Sequence, residues 1–297
     1  MKKLSGYVGN TPLIPIQEKN NYCIWGKAEF MNPGGSVKDR MATYILNDAE
    51  KKELIKRGDT LCEATSGNTG IAFAMLAAER GYKMEIVMPS NMSQERKDMF
   101  NFYGANLIEA PEGDFDGAIE WRDKLCEENG WFNCNQFHNL LNIQAHYETT
   151  GPEIYEQFMT HEYGIPDTLI LGTGTGGTIM GIGKYLREQW PNIKIVAIEP
   201  AESPVMSGGE PGLHGIQGIG DGSKFLVDLD FIDEIVTIKT EDAKKRARQL
   251  AKKHGLFVGI RAGANVLAAE TWLFKNTKSG NAITILCDRG ERYFSCL

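Results

Sequence analysis

Short apolar runs alternate with amphipathic segments along the chain, and this alternation constrains the fold more than any other feature. The apolar run 83–88 follows a helical stretch, 70–80, which ends at Gly81, a residue type typical of helix C-caps. The runs 168–171 and 193–198 enclose a second helical stretch, 177–189. Repetition of strand, helix and strand at this pitch indicates parallel sheets covered by helices on both faces. The predicted fold class is therefore α/β.

The length of 297 residues allows two domains of about 150 residues each. Because no repeat, low-complexity tract or linker separates two halves, we expect the chain to cross between domains more than once. A ligand is then expected in the cleft between them, at the carboxyl ends of the strands.

Charge and composition exclude several classes of partner. The net charge is −7, and the basic residues of 243–254 follow the spacing of a solvated helix face, so neither nucleic acid nor an anionic membrane is expected to bind. No apolar run reaches the ~18 residues of a spanning helix, and no secretory signal precedes residue 10. Six cysteines without a C-x-x-C pair are typical of reduced thiols in a cytoplasmic protein. The five histidines lack metal-ligand spacing, so no metal site is predicted.

Glycine is over-represented, with 33 residues, and it clusters in turns that open helices. The first cluster, 32–40, contains Ser36 and Asp39 in a capping-box pattern, which predicts a helix start and places Lys38 in the first turn. The positive end of the helix dipole favours the neutral form of an amine at that position. A neutral amine is a nucleophile for carbonyl groups.

The second cluster lies at 65–70, after a predicted strand and before an apolar helix. It combines free amides at a helix N-terminus with the hydroxyls of Thr65, Ser66 and Thr69. This pattern favours an anion such as a carboxylate, although a well-capped turn explains the residues equally well.

The third cluster follows one strand and opens the next helix, where amides and hydroxyls can wrap a phosphate. It consists of Gly172, Thr173, Gly174, Thr175, Gly176, Gly177 and Thr178. The missing G-K-[ST] sequence excludes a Walker A loop. The spacing satisfies G-x-G-x-x-G, and Glu199 lies where a ribose-binding acid belongs, so a nicotinamide-dependent oxidoreductase remains an alternative.

The combination of the three clusters favours a different cofactor. A nicotinamide enzyme leaves Lys38 and the turn at 65–70 as coincidences. A cofactor with one phosphate and one aldehyde, acting on an amino acid, explains all three, and that cofactor is pyridoxal 5'-phosphate bound through a lysine Schiff base.

With these residues assembled, the chain resembles the cysteine synthase family, which includes O-acetylserine sulfhydrylase and the catalytic core of cystathionine β-synthase. The similarity covers nearly the whole chain and includes, in order, Gly9-Asn-Thr-Pro-Leu13, the motifs around Lys38 and 65–70, Glu95-Arg96, Gln136-Phe137, Thr149-Thr-Gly-Pro-Glu-Ile154, 172–178, Gln217-Gly-Ile-Gly220 and Gly290-Glu-Arg-Tyr293. The resemblance implies two parallel-sheet domains of the tryptophan-synthase-β-like fold. It divides the chain into a large cofactor domain, 1–36 plus 143–297, and a small domain, 37–142, that closes over the substrate carboxylate.

The resemblance also implies roles for single residues. Lys38 forms the Schiff base and moves the Cα proton, Asn68 hydrogen-bonds the cofactor's phenolic oxygen, and 172–178 hold its phosphate. The substrate carboxylate is held by the turn and by a downstream glutamine, namely Thr65, Ser66, Gly67, Asn68, Thr69 and Gln136. The expected chemistry is β-replacement or β-elimination on cysteine or an O-acetylserine-type amino acid through an α-aminoacrylate, with sulfide taken up or released. A cytoplasmic homodimer is expected from the resemblance alone.

Three sites depart from the family pattern. At one of them, Arg261-Ala262 stand where the family often has two serines, before Gly263-Ala264. Where the family has a small residue at the pyridine nitrogen, the chain reads Cys287-Asp288-Arg289. Either Asp288 contacts the ring, or it pairs with Arg289 or caps the next turn. Asp221 follows Gln217-Gly-Ile-Gly220, and it either lies in a solvated Asp-Gly turn or faces the active site as a base. A base there suits water as the nucleophile, which predicts cysteine plus water giving serine plus hydrogen sulfide.

Three other functions stay open at this stage: a serine or threonine deaminase or racemase of the same superfamily, the nicotinamide enzyme, and a binding protein without activity. Product analysis with several amino acids distinguishes the first, and an absorption band lost with Lys38→Ala distinguishes the second. Turnover of cysteine to sulfide excludes the third.

Overall fold

The computed structural model describes residues 3–17, 21–65, 67–89, 94–110, 115–160, 164–220, 225–277 and 279–297, with the backbone alone at Gln17 and Phe115. These residues form ten strands and nine α-helices. The strands are β1 (Leu13–Gln17), β2 (Tyr22–Lys27), β3 (Thr60–Ala64), β4 (Lys83–Pro89), β5 (Asn106–Ala110), β6 (Phe132–Asn133), β7 (Thr168–Gly172), β8 (Lys194–Pro200), β9 (Glu234–Ile238) and β10 (Gly280–Ile285). The helices are α1 (Lys38–Lys51), α2 (Asn68–Arg80), α3 (Gln94–Phe102), α4 (Phe115–Asn129), α5 (Leu141–Ala145), α6 (Gly151–Met159), α7 (Gly177–Gln189), α8 (Thr240–His254) and α9 (Ile260–Asn276).

The chain divides into two compact units. Unit 1 comprises Met1–Val8 and Asn32–Asn142, and unit 2 comprises Gly9–Met31 and Ile143–Leu297. The prediction also separates the chain after residue 142. On the N-terminal side, residues 1–8 and 32–36 group with unit 1. Hydrogen bonds account for this grouping, since the Ser5 amide donates to Glu79 at 2.7 Å and the Gly34 amide donates to Asp39 at 2.5 Å.

Unit 1 is built on a four-stranded parallel sheet in the order β5-β4-β3-β6. Its apolar core combines one face of α1 with nearly the whole of α2, in which the ten residues from Asn68 to Ala77 are buried. Such a helix, apolar on all sides, needs cover on all sides. The core therefore fixes the start of α2, where the second glycine cluster lies.

Unit 2 is built on a six-stranded sheet in the order β1-β2-β10-β7-β8-β9. Its strands are parallel except for β1, which pairs antiparallel with β2 and forms one edge of the sheet. Helices α8 and α9 supply much of the apolar core beside this sheet. The predicted parallel α/β architecture is confirmed, with β1 as the one antiparallel strand among the described residues.

Several helix ends agree with the sequence pattern. Helix α2 ends at Gly81, which has φ +80° and donates a hydrogen bond from its amide to the Ala77 carbonyl oxygen at 2.8 Å.

Between α5 and α6 the chain forms a π-helical turn, His146–Thr150, inside one continuous helical segment. Wider turns of this kind occur frequently at functional sites.

The capping box predicted at Ser36 does not form. Val37 is the N-cap residue of α1, and Ser36 accepts a weak hydrogen bond of 3.3 Å from the Lys38 amide. Asp39 reaches further back and accepts the Gly34 amide. The Asp39 amide donates to the Ser36 carbonyl oxygen at 3.3 Å, so the reciprocal side-chain pair of a capping box is replaced by these contacts.

No helix among the described residues is long and apolar enough to cross a membrane. All six cysteines are free thiols.

Candidate active site

Lys38 is the first residue of α1 and is half-buried. The turn before it depends on Gly34, because a Cβ atom there would lie 2.5 Å from the Asp39 carboxylate. This turn holds Lys38 at the N-terminus of α1, where the helix dipole favours an uncharged amine.

The second glycine cluster connects β3 to α2. Gly67 is the N-cap residue of α2 and has no side chain with which to cap the first-turn amides. Gly70 lets this turn pack closely, since a Cβ atom there would lie 2.8 Å from both Phe100 and Thr65. A helix N-terminus that begins at a glycine is a suitable site for a carboxylate. Ser66, predicted to contribute to it, lies outside the described residues.

Two residues of the predicted carboxylate site contact each other. The Thr69 hydroxyl donates a hydrogen bond of 2.6 Å to Gln136 Oε1, and both residues are buried. Gln136 Nε2 also donates to the Ala64 carbonyl at 3.3 Å. The amide of Gln136 is therefore held at the start of α2, although 67 residues separate it from Thr69.

Sequence reasoning missed a cation beside this turn. The Arg96 guanidinium, carried by α3, lies 3.5 Å from the position that a Cβ atom of Gly67 would occupy. Arg96 is buried, so its charge acts in a region of reduced dielectric. The signal was present in the Glu95-Arg96 motif, but only the packing of α3 on α2 shows what the arginine approaches.

The third glycine cluster connects β7 to α7 in unit 2. Gly176 is the N-cap residue of α7 with φ +90°, and a Cβ atom there would lie 2.6 Å from the Val227 side chain. The conformation and the close approach both require glycine. As at α2, a glycine leaves the first-turn amides without a side-chain cap, which is the arrangement that a phosphate group needs.

The hydroxyls of this loop do not all point toward a ligand. Thr173 donates its hydroxyl hydrogen to the Ile198 carbonyl at 2.9 Å, so that hydrogen is not available to a phosphate. Thr178 shares a hydrogen bond of 3.2 Å with Nε2 of His146, whose Nδ1 lies 2.9 Å from the Thr150 hydroxyl. His146, a fully buried residue of the π-helical turn, thus orients Thr178.

Asn265, which the sequence did not single out, anchors the same loop. Its Oδ1 accepts the Gly172 amide at 2.8 Å, and its Nδ2 donates to the Ile285 carbonyl at 2.7 Å. Asn265 is fully buried in α9. It therefore joins the start of the phosphate loop to the end of β10, a contact between segments more than ninety residues apart in the chain.

Asp288 follows β10 and is fully buried. Its Oδ2 accepts the Tyr293 hydroxyl at 2.6 Å and lies 3.6 Å from Nη2 of Arg261. Its ion-pair partner is thus Arg261, rather than the Arg289 considered from sequence. Burial raises the pKa of the neighbouring Cys287 thiol to about 11, which keeps this thiol protonated at neutral pH.

Glu199 is engaged in a way that argues against ribose binding. Its carboxylate accepts the Met206 amide at 2.7 Å and the Ser207 amide at 3.0 Å, and it also bonds the Ser207 hydroxyl. Glu199 is 1% exposed. Glu199, which was considered as the ribose-binding acid of a nicotinamide enzyme, instead fixes the loop after β8.

Asp221, the candidate base, lies outside the described residues. Among the residues that are described, no group of three or more His, Cys, Asp or Glu side chains could hold a metal ion.

Comparison with known proteins gives a consistent picture. The family model described as "Pyridoxal-phosphate dependent enzyme" matches residues 4–288. A cysteine synthase from Staphylococcus aureus is 42% identical over 295 residues, which cover 97% of this chain and 94% of that protein.

Among solved structures, a hydrogen sulfide-producing enzyme from Fusobacterium nucleatum superimposes with a TM-score of 0.93 and 39% identity, over 99% of this chain and 90% of that chain. A hydrogen sulfide-producing enzyme was also solved as an aspartate-to-asparagine variant with an α-aminoacrylate intermediate. That structure has a TM-score of 0.92 and 38% identity, over 98% of this chain and 90% of that one.

Proposed function

This chain belongs to the family of pyridoxal-phosphate-dependent enzymes, and from that membership we propose that it acts on cysteine or an O-acetylserine-type amino acid by β-elimination or β-replacement, releasing or taking up sulfide. One structural observation carries the proposal. Helices α2 and α7 each begin at a glycine N-cap, a residue without a side chain that could occupy the helix end. The reaction involves two anions, the carboxylate of the amino acid and the phosphate of the cofactor, and each helix end suits one of them.

The residues of the third glycine cluster fit the phosphate of pyridoxal 5'-phosphate. The glycine cradle at Gly176, the amides of α7 and the Thr178 hydroxyl oriented by His146 would hold it. When bound, the cofactor supplies an electron sink for negative charge at the Cα atom of the amino acid. Asp288 is a candidate for the pyridine nitrogen, and Nη2 of the buried Arg261 lies 3.6 Å from its Oδ2.

In the proposed reaction Lys38 has two tasks. Its amine would hold the cofactor through the aldehyde group, and the same amine would take the Cα proton of the amino acid. Asn68, at the start of α2, would hydrogen-bond the phenolic oxygen. Thr65, Ser66, Thr69 and Gln136 would hold the substrate carboxylate, with the Thr69–Gln136 hydrogen bond fixing the amide.

We further propose that water is the physiological nucleophile, so that cysteine and water give serine and hydrogen sulfide. The Cβ–S bond breaks and sulfide leaves, and the water oxygen then bonds Cβ while Asp221 takes the proton that water loses. Lys38 returns its proton to Cα, which completes serine, and the proton on Asp221 balances the hydrosulfide that left. Hydrosulfide arrives already ionised, whereas water needs such a base. The α-aminoacrylate complex of a similar sulfide-producing enzyme, obtained with an aspartate replaced, agrees with this requirement.

The test is to incubate the holoenzyme with cysteine and to measure sulfide and serine, with serine, O-acetylserine and homocysteine in parallel. Sulfide and serine in equal amounts are expected from cysteine, and Lys38→Ala should remove both the activity and the violet absorption band of the lysine-bound cofactor. Pyruvate with ammonia as the main products would identify a deaminase instead. Unchanged serine yield from Asp221→Asn would remove Asp221 from the mechanism.

We also propose that the enzyme is a cytoplasmic homodimer, as expected from the family resemblance. Light scattering of the purified holoenzyme at micromolar concentration should give twice the mass of the chain. A monomeric mass would contradict this proposal.

A further inference from the structure

A buried ion pair lies directly behind the carboxylate-binding amide of unit 1. Nη1 of Arg122, carried by α4, lies 2.9 Å from Oε1 of Glu63, carried by β3, and both side chains are 0% exposed. A pair buried in this way costs desolvation, and replacing such pairs by apolar side chains is often neutral or stabilising. Stability alone therefore gives a weak reason for its presence.

The contacts of Glu63 point to a different role. Its Oε2 accepts the backbone amide of Gln136 at 3.0 Å, and its Oε1 also accepts the Ala64 amide at 2.9 Å. Asn142 Nδ2 donates to the Gln136 carbonyl at 2.9 Å. The backbone of Gln136 is thus held on both sides while its side chain is held by Thr69 and Ala64. Only one Nε2 hydrogen is needed for Ala64, which leaves the other for a ligand.

Arg122 holds the residues that precede Gln136. Its Nη2 donates to Asn135 Oδ1 at 3.4 Å, and Asn135 has a left-handed conformation with φ +51°. Its Nε donates to Asp123 at 2.9 Å, and Asp123 in turn accepts Asn133 Nδ2 at 2.7 Å. The guanidinium therefore links α4 to the segment that follows β6.

The charge of Arg122 also affects how Glu63 holds the Gln136 amide. Burial raises the pKa of Glu63, while the charge of Arg122 and the hydrogen bond from the Gln136 amide oppose that rise. Loss of Arg122 would favour a protonated Glu63, which has fewer acceptor positions for the two amides that it holds.

We propose that the Glu63–Arg122 pair is a positioning device that orients the Gln136 amide toward the carboxylate of the amino-acid substrate. The inference rests on the proposed function only in taking Gln136 as a carboxylate ligand. Neither Glu63 nor Arg122 touches the substrate, and both act through Gln136.

The experiment compares two ligands that differ only in the carboxylate. Alanine and ethylamine are titrated into the holoenzyme, and binding is followed by the change in the cofactor absorption band. In Arg122→Met, the apparent Kd for alanine should rise about tenfold, a loss equal to one hydrogen bond to a charged group, while the Kd for ethylamine should stay within about twofold. The double variant Glu63→Gln/Arg122→Met removes both buried charges, and it replaces the single variant in the titration if the single variant does not fold.

A coupling measurement separates positioning from general destabilisation. In the Gln136→Ala background, Arg122→Met should no longer change the Kd for alanine, because the group that it positions is gone. Arg246→Met makes the same kind of change in unit 2, since it removes the buried arginine paired with Glu270, and it should leave both Kd values unchanged. Equal weakening of alanine and ethylamine, or an undiminished effect in the Gln136→Ala background, would overturn the inference. Neither ligand has a β-leaving group, so this result does not depend on whether wild type releases sulfide from cysteine, which tests the proposed function separately.

Discussion

Single buried polar residues hold the phosphate loop of unit 2 in place. Asn265 satisfies the Gly172 amide and the Ile285 carbonyl, and His146 orients Thr178. Removing one partner of a buried hydrogen bond leaves the other group unsatisfied, which typically costs about 1–3 kcal/mol. Such residues hold the loop that we propose as the phosphate site.

We expect Asn265→Ala to lower the free energy of unfolding by about 1–3 kcal/mol and to weaken cofactor binding. The cause is the freed Gly172 amide at the start of the loop. Urea denaturation gives the first quantity, and cofactor retained after dialysis gives the second. Asn276→Ala, an exposed site on the same helix α9, is the matched control and should leave cofactor retention unchanged.

A pair of glycines separates conformational strain from steric overlap. Gly176 and Gly208 both have positive φ, +90° and +85°, but a Cβ atom would overlap Val227 only at Gly176. Gly208→Ala should cost about 1–2 kcal/mol from the left-handed backbone alone. Gly176→Ala should cost more and should lower cofactor occupancy, since the loop must move. Equal melting temperatures and equal cofactor content in the two variants would contradict this account.

At the scale of elements, the sequence predicted those helix ends that local chemistry determines. Gly81 ends α2 as expected, and α7 begins and ends where periodicity placed it. The prediction of a capping box at Ser36 was wrong because Asp39 accepts a hydrogen bond from a different amide, that of Gly34. The position of this amide depends on the fold of the turn. A four-residue pattern cannot distinguish two amides that compete for one carboxylate.

The N-terminal segment is attached to α2 through one carboxylate. Glu79 accepts the Ser5 amide at 2.7 Å, and although burial raises its pKa, the hydrogen bonds from Ser5 and the charge of Arg80 outweigh burial and lower the pKa below its ordinary 4.5. A carboxyl with a lowered pKa in the folded state stabilises it above the unfolded-state value, and the stabilisation is lost as the pH falls.

We therefore expect Glu79→Gln to destabilise the protein by roughly 1 kcal/mol from pH 7 to about pH 5, because the amide cannot replace the charge-assisted bond. Below the ordinary pKa of 4.5 the difference from wild type should shrink. Urea unfolding at a series of pH values measures it. A difference that grows toward acid pH would have the wrong sign for this carboxylate.

At the scale of the whole molecule, site residues that lie in a local motif could be predicted from the sequence. Residues that act on a partner far away in the chain could not. Lys38, the turn at 65–70 and the loop at 172–178 were visible because each motif is local. Arg96, Asn265 and the Glu63–Arg122 pair were not, because each acts on a residue that is distant in the chain. Only the packing of helices on strands brings such groups together.

The six free cysteines give a test of the packing of the whole molecule. Cys62, Cys126, Cys134 and Cys287 are buried, and burial also raises the pKa of the half-buried Cys23 to about 11. Cys296 is only partly buried, so iodoacetamide at pH 8 should reach and modify it first in the native protein. Mass spectrometry should find the four buried cysteines modified only after addition of urea. Modification of Cys62 or Cys134 as fast as that of Cys296 would contradict the fold.

The pairing of β2 with β10 affects how the protein is made. Tyr22 lies opposite Gly280 in that register, so β2 needs a partner strand that is made about 250 residues later. Residues 32–142 leave the ribosome together with all four strands of their sheet, whereas the hairpin of β1 and β2 waits roughly 10 to 50 seconds at about 5–20 residues per second. Until then the nascent chain presents an unpaired strand edge, which is the form in which a chaperone would meet it.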